Sequence, residues 1–444
     1  MKKIITVIYT LSFVIGAVSA QSVYDGVKIA DKDLNGTARF VGMGGAMGAL
    51  GGDITTMGTN PAGIGIYRSN DVMTSFSYSA YGMESKYEGQ KSTIDKNRWS
   101  FDNIGVVFAT KIGNQTPLRY VNFGFNYKRF KSFYKNMSMS GMMGVVENPS
   151  NPGSPYYVSQ TNSMALQATD AERYVWDNSR QHLDFDNANR IFSDPDAGWL
   201  GALGYQGGLT ERDRIDNEPD LYVPFLPVEP SSVFNSREKG GIDQYDFNVS
   251  FNINDRVYLG LTIGAYDVDY DKYSGYDESY KRGEGYSLES YNNISGSGFD
   301  VKMGLILRPF EYSPFRIGFA VHTPTFYKLT YSTSAIVTND YRDAKTDELK
   351  RIIVDTYDYV GDMKRDYRLV TPWKYNVSLG YTVGTSLALG AEYEYEDYST
   401  MKFKYSSNDG GGDMEFENAE VKNCLKTRVR DNILKSKEQK NIQP

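Results

Sequence analysis

The sequence predicts an all-β fold, an antiparallel transmembrane β-barrel whose strands turn their apolar faces outward. Three observations lead there. Apolar and polar residues alternate with period two in nine separate segments. Short connections alternate with long ones, as in barrels with tight turns at one membrane face and extended loops at the other. Tyrosine, 36 of 444 residues, and phenylalanine gather near the segment ends, where interfacial girdles lie. Alternation alone also fits a soluble sandwich whose apolar face is the core. The connections and the aromatic placement favour the barrel.

The first element is an export signal. Lys2 and Lys3 precede a largely apolar run from Ile4 to Val18, and Val18-Ser19-Ala20 supplies the small residues of a cleavage site. Residues 1–20 therefore read as a cleavable signal peptide, with Gln21 the first mature residue and the cell outer membrane the destination. Losing two lysines takes the net charge from −7 to −9, which argues against a nucleic-acid partner. No later run of 18 apolar residues offers a transmembrane helix. The single cysteine, Cys424, excludes an internal disulfide framework and any CxxC metal site.

Residues 21–69 come next and are rich in glycine, ending in Asn60-Pro61-Ala62-Gly63. Glycine allows close backbone approach to a wall. Pro61 fixes its own φ and pushes Asn60 toward extended geometry, so the chain leaves in a set direction. Asn60 is suited to bonding nearby backbone. Gly42, Gly44 and Gly48 loosely echo GxGxxG, but the spacing is wrong and no parallel-strand unit surrounds them.

Residues 70–423 carry the strands. Val72, Thr74, Phe76, Tyr78 and Ala80 share one face of the first. The pattern recurs at Ile104 to Phe108, Val121 to Lys128 and Tyr245 to Ile253. After an Asn254-Asp255 turn it continues at Val257 to Gly264, Phe299 to Leu307, Ile317 to Val321, Trp373 to Tyr381 and Leu387 to Tyr395. Short connections are expected near Gly113 to Pro117, Asn254-Asp255, Glu311 to Pro314 and Val383 to Thr385. The stretch 137–240 breaks the alternation and reads as one large external loop containing a short helix, or as an inserted domain. Residues 424–444 form a lysine-rich tail without alternation. Nine strands leave a barrel unclosed, because single-chain bacterial barrels are even-numbered. The chain is thus expected to be truncated at its C-terminus, through a shifted frame near Val429, and its first and last strands to keep unpaired edges.

Little points to catalysis, and the chain is not expected to be an enzyme. His182 and His322 lack motif neighbours. Asp267, Asp269 and Asp271 share a strand face that suits a solvated edge better than calcium. Glu392, Glu394 and Glu396 share another, expected to line the interior or rim, with arginines opposite.

In its place after a signal and before a first strand, the glycine-rich segment resembles the N-terminal plug of the FadL/TodX family of outer-membrane transporters, and the chain is similar to its Bacteroidetes-type members. The resemblance rests on Ala38-Arg39, Gly44, Gly45 and Ala46, Asp53, and Asn60, Pro61, Ala62 and Gly63. It implies fourteen strands around an N-terminal hatch, and passive uptake of small hydrophobic molecules such as long-chain fatty acids. The implied partners are outer-membrane lipid and a fatty-acid-like ligand, with no cofactor and a monomeric state. Similar proteins also suggest two alternatives: a haemin receptor, with His182 or a tyrosine as axial ligand, and a barrel serving type IX protein secretion.

Overall fold

The computed structural model describes residues 23–146, 156–157, 159–194, 196–214, 217–225, 230–384 and 387–423. The expected signal peptide, Cys424 and the charged tail lie outside the described residues. Antiparallel β structure dominates, in a 14-stranded sheet curled into a half-barrel. Its elements in chain order begin with β1 (Asp71–Tyr87), β2 (Gln90–Lys111), β3 (Leu118–Ser132) and β4 (Lys135–Met142). Two short hairpins follow, β5 (Val145–Val146) with β6 (Tyr156–Tyr157), and β7 (Thr210–Asp213) with β8 (Leu221–Pro224). The wall resumes with β9 (Ser231–Ile253), β10 (Val257–Ser279), β11 (Gly285–Leu307), β12 (Arg316–His322) and β13 (Phe326–Arg342). It ends with β14 (Leu349–Asp355), β15 (Met363–Val370), β16 (Lys374–Val383), β17 (Leu387–Glu396) and β18 (Lys402–Tyr405).

A nine-strand path, β1-β2-β3-β9-β10-β11-β12-β16-β17, runs through all nine alternating segments. Two wall strands are broken in mid-course. The lower part of β11 pairs with β12 and its upper part with β13, and the break falls at Pro324. Strands β16 and β15 repeat this at Pro372. Proline has no N–H for the ladder. The two breaks lean on each other instead, Thr325 N donating to Thr371 Oγ1 at 2.8 Å and Thr371 N to Thr325 O at 3.1 Å.

The connections differ from expectation on one side. Asn254 and Asp255 make the expected tight turn, both with positive φ (52° and 54°), as a type I′ hairpin requires. At the opposite end, however, strands rather than loops supply most of the length. β1 and β2 meet at Glu88-Gly89, and β10 and β11 run 23 residues each. Polar cross-strand pairs carry these extensions, so the ladder outlasts the apolar alternation used to read it.

Polarity reverses along single strands. In the lower part of β10, Leu259, Leu261 and Ile263 are exposed while Thr262 is buried. Neighbouring β9 exposes Phe247 (55%) and buries Asp246, Asn248, Ser250 and Asn252. Above Ala265 the sides exchange character: Asp267, Asp269 and Asp271 face outward, and Tyr266, Val268 and Tyr270 are buried. The upper half thus has an ordinary apolar interior. It joins Ile294, Tyr327, Leu329, Tyr331, Tyr367, Leu369 and Phe403 in one core. Helix α1 (Val23–Ala30) seats Val23, Ile29 and Ala30 in that core.

The stretch read as a loop is shorter and more structured than expected. β4 and the first eight residues of β9 are paired wall. Between them lie α3 (Gln160–Ser179), α4 (Ala188–Ser193) and α5 (Trp199–Gln206); the earlier α2 is Ala38–Gly42 and the later α6 is Thr356–Val360. This insert packs Met164, Phe185, Leu200 and Leu203 against Tyr286, Val337 and Val354 of the upper wall.

Candidate functional site

The residues singled out from the sequence meet where the N-terminal segment lies against the concave face of the lower wall. Asp53 caps the 3-10 turn Ile54–Gly58, its Oδ1 accepting from Thr55 N at 2.9 Å. Its Oδ2 accepts from Thr37 Oγ1 at 2.6 Å and Arg39 Nε at 3.2 Å, so Arg39 and Asp53 form one knot. Gly44 and Gly45, with φ of +63° and +84°, turn the chain after α2, a conformation that L side chains rarely adopt. Ala46 follows and presses its carbonyl on Gly390 of β17, where a Cβ would overlap it.

Asn60 is fully buried and opens the second 3-10 turn, Pro61–Ile66. Its Oδ1 accepts from Ala62 N at 3.2 Å and its Nδ2 donates to Gly48 O at 2.8 Å. Pro61 O accepts from Ser250 Oγ at 2.8 Å. Gly63 N closes the turn on Asn60 O at 2.9 Å. The turn lies on a row of small residues that the register aligns across four strands: Ser250, Gly260, Gly304 and Ala320. A Cβ at Gly260 would overlap Pro61, and one at Gly304 would overlap Asn60 Oδ1. A stiff turn and a glycine window therefore form one joint.

Wall side chains complete it. His322, buried, places Nε2 2.7 Å from Thr59 O, so it fastens the segment rather than sitting free. Asn122 Nδ2 donates to Ile64 O at 2.7 Å and Tyr67 O at 3.0 Å. Lys302 bridges Asp246 (3.0 Å) and Asp300 (2.8 Å), all three buried on the concave face. On β17 the acidic row faces the same way. Glu392 accepts from Gly48 N at 2.9 Å, Glu394 pairs with Lys32, and Glu396 with Lys374 at 2.9 Å. The opposing cations are lysines, one from the N-terminal segment itself, and not the expected arginines.

Two features had no sequence signal. Glu278, buried at the top of β10, accepts from Ser159 Oγ, Gln160 N and the hydroxyls of Tyr276, Tyr280 and Tyr286 at 2.6–3.1 Å. Burial, with Glu278's charge next, pushes those three tyrosines above their usual range, which keeps them donors. Ser159 is the N-cap of α3, so the insert hangs from this carboxylate. The second is a polar cleft of about 520 Å³ on the upper wall, lined by Arg237, Lys239, Asp271 and Tyr291 among others. His182 lies in the insert, bonded to Glu172.

The arrangement fastens a segment inside a curved wall through buried polar contacts. No protein-family model, curated protein or solved structure matches the chain.

Proposed function

We propose that this chain forms the wall and the hatch of an outer-membrane channel for passive uptake of small hydrophobic molecules, fatty-acid-like in chemistry. The reversal of polarity along the wall carries the reading. On β10 the outward apolar stretch runs from Val257 to Ala265. About nine residues rising ~3.3 Å each at a tilt near 40° span roughly 23 Å, close to the ~25 Å apolar band of outer-membrane barrels. In water such a face would be a large exposed apolar patch; in lipid it is matched. The N-terminal segment then sits in the lumen at membrane depth as the hatch, in keeping with the resemblance to FadL/TodX transporters.

The upper interior supports a hydrophobic cargo. Its tyrosine- and leucine-rich band is covered by α1, tethered by Lys28 Nζ to Glu238 at 2.8 Å and to Tyr270 Oη at 2.7 Å. A guest entering the band displaces α1 and is held by apolar contact, with a hydroxyl or lysine fixing its orientation.

The test is uptake of a fluorescent long-chain fatty acid by vesicles containing the protein. Leu329→Glu, inside the band, should cut uptake at least several-fold, whereas Asp269→Asn, on the outer rim, should leave it unchanged. A chain that stays in water without detergent, or uptake indifferent to Leu329→Glu, would overturn the proposal.

A further inference from the structure

The insert contains a cluster that the channel reading does not use. Glu172 on α3, His182 just beyond that helix and Asp220 ahead of β8 bring one ligand atom each within 4.8 Å of the others. His182 Nδ1 is 2.6 Å from Glu172 Oε1 and 3.8 Å from Asp220 Oδ2. Glu172 Oε2 accepts from Leu183 N at 3.0 Å, which aims Oε1 at the cluster.

Two observations go beyond acidic residues lying close together. The Asp220 carboxylate is buried and receives no hydrogen bond among the described residues. Its nearest side-chain nitrogens, His182 Nδ1 and Arg212 Nε, both stand 3.8 Å away, and Arg212 is already engaged by Asp186. Tyr222, 5% exposed, has a hydroxyl with no hydrogen-bond partner among the described residues. A buried carboxylate with only these long ion-pair contacts, and a buried hydroxyl two residues further along, each carry a desolvation cost.

We propose that this cluster binds a divalent transition-metal ion, zinc by ligand type, through Glu172, His182 and Asp220. One imidazole and two carboxylates form a borderline-to-hard set that suits Zn²⁺. Ligand atoms about 2.1 Å from a tetrahedral zinc lie about 3.4 Å apart. The His182–Glu172 pair therefore opens by under ~1 Å and the His182–Asp220 pair closes by about half of that. His182 keeps 43% of its side chain exposed, which leaves an entry path and a coordination position open to water. The ion joins α3 to the β7–β8 hairpin and so locks the insert.

The experiment uses untagged full-length protein in detergent, stripped with chelator, titrated with Zn²⁺ and then gel-filtered for metal analysis. One zinc per chain is expected, with binding at least 10-fold weaker in His182→Asn and in Asp220→Asn. His322→Asn, at the other histidine, should bind like the parent. His182 is partly exposed, so its variant should fold even where Asp220→Asn does not; an unchanged melting profile checks this. The Trp176 ring is 4.7 Å from the His182 ring, and Co²⁺ should quench its fluorescence in the parent but not in Trp176→Phe. A parent that retains no zinc, or a His182→Asn variant that retains it equally, overturns the site.

Discussion

Gly304 lies where Asn60 needs the room. An added methyl would strike Asn60 Oδ1, and Asn60 has little room to retreat because its amide holds Gly48 O and Ala62 N. Gly304→Ala should destabilise the folded chain by about 1–3 kcal/mol, the usual cost of overpacking. Asn60→Ala leaves those backbone groups buried without a partner and should cost about 1–3 kcal/mol. Denaturant midpoints of the refolded proteins would check both; wild-type midpoints would show that the joint is not strained by either change. Glu278→Gln replaces an acceptor with an amide whose NH₂ faces donors. We expect about 1.5–3 kcal/mol lost, the range for hydrogen bonds to a charged group, and faster proteolysis within 159–225. At this scale the sequence was half legible. Asn60-Pro61 announced a fixed turn, and Gly304 sat in the polar phase of its strand. Glu278 announced nothing, because its cap partner Ser159 is 119 residues away and period two says nothing about contacts at that range.

Among the elements, the lower strands were the most legible, since alternation with a buried polar face and an exposed apolar face is a local property. Cysteines at Phe247, Val249, Phe251, Leu259 and Leu261 should react with a lipid-phase reagent, and those at Asn248, Ser250 and Gly260 should be shielded from it. Uniform aqueous labelling of the first set would indicate a soluble sheet. The short helix expected within 137–240 appears as Gln160–Ser179, its start set by the Ser159 cap. The rest of the insert was not legible, because its core borrows Tyr286, Val337 and Val354 from strands far along the chain. The β13–β14 hairpin supplies two of these. At its tip Asp343 is held below the usual carboxylate range, first by Lys350's hydrogen bond, then by the N–H groups of Lys345 and Thr346. A depressed carboxyl contributes stability that is present above its unfolded value, about 3.9, and lost as pH falls through the lower folded value. The protection of tip amides, measured against their intrinsic exchange rates, should therefore fall in acid below about pH 4, and Asp343→Asn should remove that dependence. An unchanged profile in the variant would assign the acid sensitivity elsewhere.

For the molecule as a whole, the sheet path begins at β1 and ends at β17, and no pairing joins them among the described residues. Each therefore presents a row of free N–H and C=O groups. Amides on the outer edges of β1 and β17 should exchange faster than those of β10, which is paired on both sides. Equal protection, measured by mass spectrometry on the detergent-solubilised chain, would mean that something covers the edges. What that something must look like follows from direction alone. Eight successive antiparallel steps carry the path from β1 to β17, so the two edge strands point the same way. Joined directly, they would make a parallel seam in an otherwise antiparallel ring. A ring antiparallel at every step requires an odd number of further strands between them, the first antiparallel to β17 and the last antiparallel to β1. Parity thus sets a rule for any closure of this wall, whatever supplies the strands: one, three or five will fit, and two or four will not.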